Sequence, residues 1–97
     1  MPTAQLIVTQ PGQKERRVEI SKGLVSIGRK SDNTISLEGD TNVSKYHAVI
    51  ELRPDGFWLS DLGSSNGTFV NDAPVKSERR LEDGDLICVG GVTTVAF

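Results

Sequence analysis

Three short polar segments hold the side chains of this chain that could do chemistry: Gly28-Arg29, Ser44-Lys45-Tyr46-His47 and Ser64-Ser65-Asn66-Gly67. They offer a guanidinium, an ammonium, several hydroxyls, a side-chain amide and the single histidine. A guanidinium is a planar fork that can donate to two oxygens of a phosphate at once. The hydroxyl of Ser44 and the ammonium of Lys45 can add donors to the same anion. An Asn amide carries both a donor and an acceptor, so Asn66 can clamp a peptide backbone at two points. Together these groups suit the holding of a phosphate and of the peptide that carries it. Each segment also has a plainer reading. Arg29 reads equally as a solvated charge at a strand end, and the residues around Ser44 as a loop with capping hydroxyls. Asn66-Gly67 reads as the centre of a tight two-residue hairpin turn, where both positions take φ > 0.

His47 reads as a hydrogen-bonded structural residue. A general base would need a nucleophile and an orienting partner. Ser44 stands three residues before it, but no acid partner or oxyanion motif is legible, so no catalytic residue is assigned. One Cys and one His, far apart and without clustered carboxylates, give no metal-site spacing, and no cofactor is expected.

The elements that must position these groups are strands. Ten Gly and four Pro punctuate the chain at short intervals, and no window holds a helical apolar period for three turns. The segments Gln5 to Thr9, Arg16 to Ile20, Leu24 to Gly28, Thr34 to Leu37, His47 to Arg53, Phe57 to Leu62, Thr68 to Val70, Leu86 to Val89 and Val92 to Phe97 read as strands. Turns are expected at Pro11-Gly12, Lys22-Gly23, Pro54-Asp55-Gly56, Asn71-Asp72, Glu82 to Asp85 and Gly90-Gly91. In His47 to Arg53, Ala48, Ile50 and Leu52 face one way and Val49, Glu51 and Arg53 the other. The pattern predicts an all-β sandwich or barrel of ten or eleven strands. The long loop before His47 is almost wholly polar, with Val43 as its one aliphatic anchor.

Ninety-seven residues suffice for one domain with one core. Eleven Lys and Arg against thirteen Asp and Glu leave a net charge of −2, which does not support long-range attraction of nucleic acid or of an anionic membrane. Any anion site must therefore be built locally. The runs Lys14 to Arg17 and Lys76 to Arg80 read as solvated faces. Cys88, inside an apolar run, reads as a buried inert thiol. No apolar run approaches the length of a membrane span, and no signal peptide is legible, so a cytoplasmic location is expected.

Gly28-Arg29, Ser44-x-x-His47 and Ser65-Asn66-Gly67, in this order and spacing, resemble the forkhead-associated (FHA) domain. The resemblance extends over residues 5–97, because that family is a β-sandwich of about eleven mostly antiparallel strands. It implies one FHA-like domain over residues 1–97, either a whole protein or a module whose partners include other domains of a longer chain. It also implies a reader of phosphothreonine-containing proteins or peptides. Carried over by position, Arg29 would bind the phosphate and Ser44 would donate a hydroxyl to it, with Lys45 as a third contact and Thr41 as a further hydroxyl. Asn66 would hold the peptide backbone beside the phosphothreonine and Ser65 would touch it nearby. His47, Gly28 and Gly67 would be architectural. Asn42 lies in the loop that in the family sets preference for the third residue after the phosphothreonine, and its neutrality speaks against a strongly acidic preference. Tyr46 reads either as a half-buried loop aromatic or as a ligand contact. The same fold used without phosphate, for dimerisation or docking, is the alternative function.

Overall fold

A computed structural model describes residues 4–20 and 23–97, so Lys22 of the expected Lys22-Gly23 turn lies outside the described residues. Eleven strands run in chain order: β1 (Ala4–Thr9), β2 (Arg16–Ile20), β3 (Leu24–Gly28), β4 (Ile35–Ser36), β5 (Ala48–Arg53), β6 (Gly56–Asp61), β7 (Thr68–Val70), β8 (Ala73–Pro74), β9 (Glu78–Arg80), β10 (Leu86–Val89) and β11 (Thr93–Ala96). Six form one sheet in the order β2-β1-β11-β10-β7-β8, and five form the other in the order β4-β3-β5-β6-β9. All pairings are antiparallel except β3 with β4. The expected all-β sandwich is the observed one.

The two sheets close on a core of alternating aliphatics. Leu6, Val8, Ile27, Ile50, Leu59, Ile87, Val89 and Val95 are buried almost without exposure. Each such side chain contributes about 1.5–3 kcal/mol by leaving water. Period-2 alternation delivers this core, because every second residue of a strand faces inward.

The register decides where the polar segments go. Ile27 pairs with Ala48 and Ala48 with Asp61, so the end of β3, the start of β5 and the end of β6 lie side by side. The loops at 29–34, 37–47 and 62–67 therefore meet at one end of the sandwich. The last of them carries the chain from the second sheet to the first, since β6 and β7 belong to different sheets.

Four expectations are corrected here. Asn66-Gly67 is not a two-residue hairpin turn, because among the non-glycine described residues only Asn71 (φ 50°) and Asp72 (φ 70°) are left-handed. The tight turn is Asn71-Asp72, joining β7 to β8, where Val70 pairs with Ala73. Asn71 is fixed there by donating from Nδ2 to Asp85 (2.9 Å) and accepting from the Leu86 amide (3.0 Å). Cys88 is half-buried rather than buried, because alternation turns Ile87 and Val89 inward and Cys88 outward.

The two charge runs are also more than solvated faces. Arg16 donates to Gln10 Oε1 (3.1 Å) and to the Ser36 carbonyl (3.0 Å), which ties one sheet to the other. Glu78–Arg80 is the edge strand β9. Its Glu78 takes both terminal nitrogens of Arg53 (3.0 and 2.8 Å), whose Nε donates to Glu51 (2.8 Å) and whose guanidinium lies 5.0 Å from the Trp58 ring. The Arg53 hydrogen bond holds the Glu78 carboxyl below its ordinary pKa. Charged residues on this edge also discourage pairing with another chain.

Asp72 sits in the left-handed region without glycine's freedom. Asp72→Gly should raise stability by about 0.5–1 kcal/mol in urea unfolding. No gain would show that the turn is unstrained.

Candidate functional site

Arg29 follows β3, and its backbone continues the strand edge: its amide donates to the Ser44 carbonyl (3.0 Å), and the Lys30 amide to the Lys45 carbonyl (3.3 Å). The chains run so close here that a Cβ on Gly28 would collide with the Lys45 carbonyl and come within 2.8 Å of Asn33 Nδ2. Gly28 is therefore required by space. Arg29 donates from Nε to the Val43 carbonyl (3.1 Å), and its side chain is half-buried. A guanidinium has five N–H donors. With Nε used, its two terminal nitrogens keep four, for which the described residues provide no partner. The fork is held at its base and open at its tip.

His47 is fully buried and explains why the neighbouring loops hold still. The Ser44 amide donates to His47 Nδ1 (3.1 Å), so that nitrogen carries no proton. Nε2 lies 2.8 Å from the Gly67 carbonyl and must be the donor. The ring is thus the neutral Nε2–H tautomer with both nitrogens engaged, and no free base remains for catalysis. Its backbone continues the sheet, donating to Ile27 (2.9 Å) and accepting from Leu62 (2.9 Å). Gly67 turns at φ 83°, a value its absent side chain permits, and so presents its carbonyl to the imidazole.

The loop at 62–67 is organised by Asp61. Its Oδ2 accepts from the Gly63 and Ser64 amides (3.0 and 3.1 Å), and its Oδ1 from the Ser64 and Thr68 hydroxyls (2.6 and 2.7 Å). Partial burial alone would push the Asp61 carboxyl up, but these donors outweigh it and hold the pKa below its ordinary 3.8. The loop is then laced to its neighbour. The Ser65 amide donates to Ser44 Oγ (3.1 Å), and Asn66 Nδ2 donates to the Asn42 carbonyl (2.7 Å). Because Ser44 Oγ accepts from Ser65, its own proton is free to be donated elsewhere. Asn66 keeps its Oδ1 and one N–H.

Arg29, Ser44, His47, Ser65, Asn66, Gly67 and Asn42 thus belong to one hydrogen-bonded set. Lys45 is exposed beside it, joined through its backbone carbonyl. Thr41 is also exposed but lines a groove with Gln10, Glu38 and Val92, and no hydrogen bond ties it to Arg29 or Ser44. Tyr46 is 47% exposed, so it is not the half-buried loop aromatic. Its hydroxyl donates to Asp32 (2.7 Å), and this hydrogen bond to a carboxylate raises its pKa.

Sequence reasoning missed Asp61, Asn33 and Asp40. Asn33 is buried and donates to the Lys30 and Lys45 carbonyls (2.8 and 2.9 Å), joining two loops. Asp40 accepts from the Asn42 amide (3.1 Å) and the Thr93 hydroxyl (2.9 Å). Asp61 had a local signal, an Asp ahead of Gly63 and Ser64, of the kind that folds onto its own following amides. Asn33 and Asp40 had no such signal for their distant partners.

Comparison with known proteins shows the family. The family model of the FHA domain matches residues 25–90, and the chain belongs to that family. It is 36% identical to the protein FraH of Nostoc sp. over 98% of its own length, and spans 35% of FraH. A solved structure from a structural and functional analysis of phosphothreonine-dependent FHA domain interactions is 35% identical, with a TM-score of 0.80 and 97% of each chain covered. EmbR of Mycobacterium tuberculosis, solved in complex with a low-affinity phosphopeptide, is 31% identical with a TM-score of 0.80, over 96% of this chain and 24% of EmbR. The chain therefore spans about a third or less of FraH and of the solved EmbR chain.

His47→Ala removes a buried ring and leaves the Ser44 amide and Gly67 carbonyl unpartnered, so it should cost about 2–5 kcal/mol in urea unfolding. Unchanged stability would refute its bracing role. Asp61 contributes stability above its unfolded pKa, near 3.8, and loses it as pH falls through the lower folded value. Asp61→Asn should therefore lower stability at pH 7 and flatten its decline between about pH 4 and 2, read by thermal melts across that window. An unchanged acid limb would assign that limb to other carboxylates.

Proposed function

We propose that this chain is a phosphothreonine-peptide-binding module that mediates phosphorylation-dependent protein–protein interaction in signalling. The observation that carries the reading is the Arg29 guanidinium, fixed at Nε by Val43 with its terminal donors open, beside a Ser44 hydroxyl whose proton is free. Arg29 and Ser44 bind the phosphate, and the exposed Lys45 ammonium approaches from the side. Thr41 serves as a hydroxyl at the margin of the site. Asn66, already anchored to the Asn42 carbonyl, uses its remaining N–H and Oδ1 on the peptide backbone, with Ser65 beside it, and Asn42 borders the flanking residues. The phosphothreonine-dependent interactions studied with one related structure and the phosphopeptide complex of EmbR support the same reading.

Phosphothreonine carries about −1.5 to −2 charge at neutral pH. Hydrogen bonds to charged groups contribute roughly 1.5–3 kcal/mol each, so three or four suffice for a complex even after the cost of ordering an extended peptide. Affinity of about −8 kcal/mol, in the micromolar range, follows. The held loops help because little protein motion must be frozen on binding. Residues 1–97 act as one domain, with the cytoplasm as its proposed location.

Arg29→Ala should abolish binding of a phosphothreonine peptide drawn from a degenerate library while leaving the thermal melt close to that of the parent. Titration of matched phosphothreonine, phosphoserine and threonine peptides by fluorescence anisotropy should give binding of the first, weaker binding of the second and none of the third. Equal binding of all three would replace this reading with a phosphate-independent docking surface.

A further inference from the structure

An open groove of about 280 Å³ lies beside Thr41. Gln10, Pro11, Glu38, Asp40, Thr41 and Val92 line it. It lies just below the range for small-molecule sites, roughly 300–1,000 Å³, and suits one or two side chains better than a cofactor.

Its electrostatics are one-sided. Glu38 is exposed, and the described residues give it no ion-pair partner. Asp40 receives only neutral donors, the Asn42 amide and the Thr93 hydroxyl, so its charge is uncompensated. Arg16 borders an adjoining cavity with Glu38, but its guanidinium is turned to Gln10 Oε1 and the Ser36 carbonyl and makes no ion pair with Glu38. Pro11 and the exposed Val92 add apolar wall, which suits the aliphatic stem of a Lys or Arg.

The groove also lies within a short length of chain of the proposed peptide site. Asn42, whose carbonyl Asn66 holds, is the immediate neighbour of Thr41. Gly39 to Ser44 is five residues, at most about 18 Å of chain. An extended peptide anchored at Arg29 reaches the groove within about six residues.

We infer that this groove is a second subsite of the phosphopeptide site, one that takes a basic residue about four to six positions from the phosphothreonine. The inference rests on the phosphothreonine reading above. It adds a requirement that Arg29 and Ser44 cannot impose: a cationic flank beyond the residues that touch the loop tips.

The test uses phosphothreonine peptide pools with three randomised positions on each side, followed on one flank or the other by three Ala, three Lys or three Glu. Fluorescence anisotropy at low salt should show the Lys pool on one flank binding about two- to fivefold tighter than the Ala pool, the size of one or two partly exposed ion pairs, with the Glu pool weaker. Glu38→Gln should reduce that gain and leave the Ala pool unchanged. A Lys gain that survives undiminished in Glu38→Gln would overturn the inference in favour of attraction by net charge alone, and so would equal binding of the three pools. If the Ala pools bind without regard to phosphate, the phosphothreonine reading fails and the subsite falls with it.

Discussion

The buried imidazole of His47 is the constraint on which the functional end of the sandwich depends. Its ring accepts from the Ser44 amide and donates to the Gly67 carbonyl, so one side chain joins loops through two residues that stand 23 positions apart in sequence. Each of those loops then fixes another group. Ser44, so held, offers its oxygen to the Ser65 amide and its carbonyl to the Arg29 amide. Gly67, so held, brings Asn66 within reach of the Asn42 carbonyl. A neutral ring is well suited to this place, because a charged one would need compensation in the core and would lose the acceptor that Ser44 uses.

The hydrogen bonds at this end satisfy the protein's own loops while leaving selected donors unused. Backbone and Nε contacts fix the position of Arg29, and its terminal N–H groups stay open. Ser44 spends a lone pair and keeps its proton. Asn66 spends one N–H and keeps the rest. Since the loops need not be ordered by a ligand, more of the interaction energy with an anion remains as affinity. The open groups are mostly donors, which suits the proposed anion site in a chain of net charge −2.

Much of the fold was legible because strand alternation is local. β2, β3, β7 and β10 fall where period-2 patterning places them, and β1, β5, β6 and β11 differ only by a residue or so at their ends. The short strands β8 and β9 were not legible. Ala73–Pro74 carries no alternation, and Glu78–Arg80 is charged throughout, so each becomes a strand only by pairing with β7 or β6. Asn66-Gly67 had the composition of a hairpin turn, but its flanking strands belong to different sheets and cannot form one. Asn71-Asp72, with the less favourable second residue, has two pairing strands and is the turn. Arg16 and Cys88 were misread for a related reason: charge or hydrophobicity alone does not say which neighbour a side chain meets.

The sequence by itself determined the all-β class, the aliphatic core and the residue types that could hold a phosphate, because each follows from local pattern and side-chain chemistry. Tertiary structure decided which of those residues belong together. Arg29, Ser44, Ser65 and Asn66 come from three loops, and only the antiparallel register of β3, β5 and β6 sets those loops side by side. It also placed Thr41 on a separate groove and revealed Asn33, Asp40 and Asp61 as supports. The partners of Asn33 and Asp40 lie up to 53 residues away, beyond what any local sequence window can report.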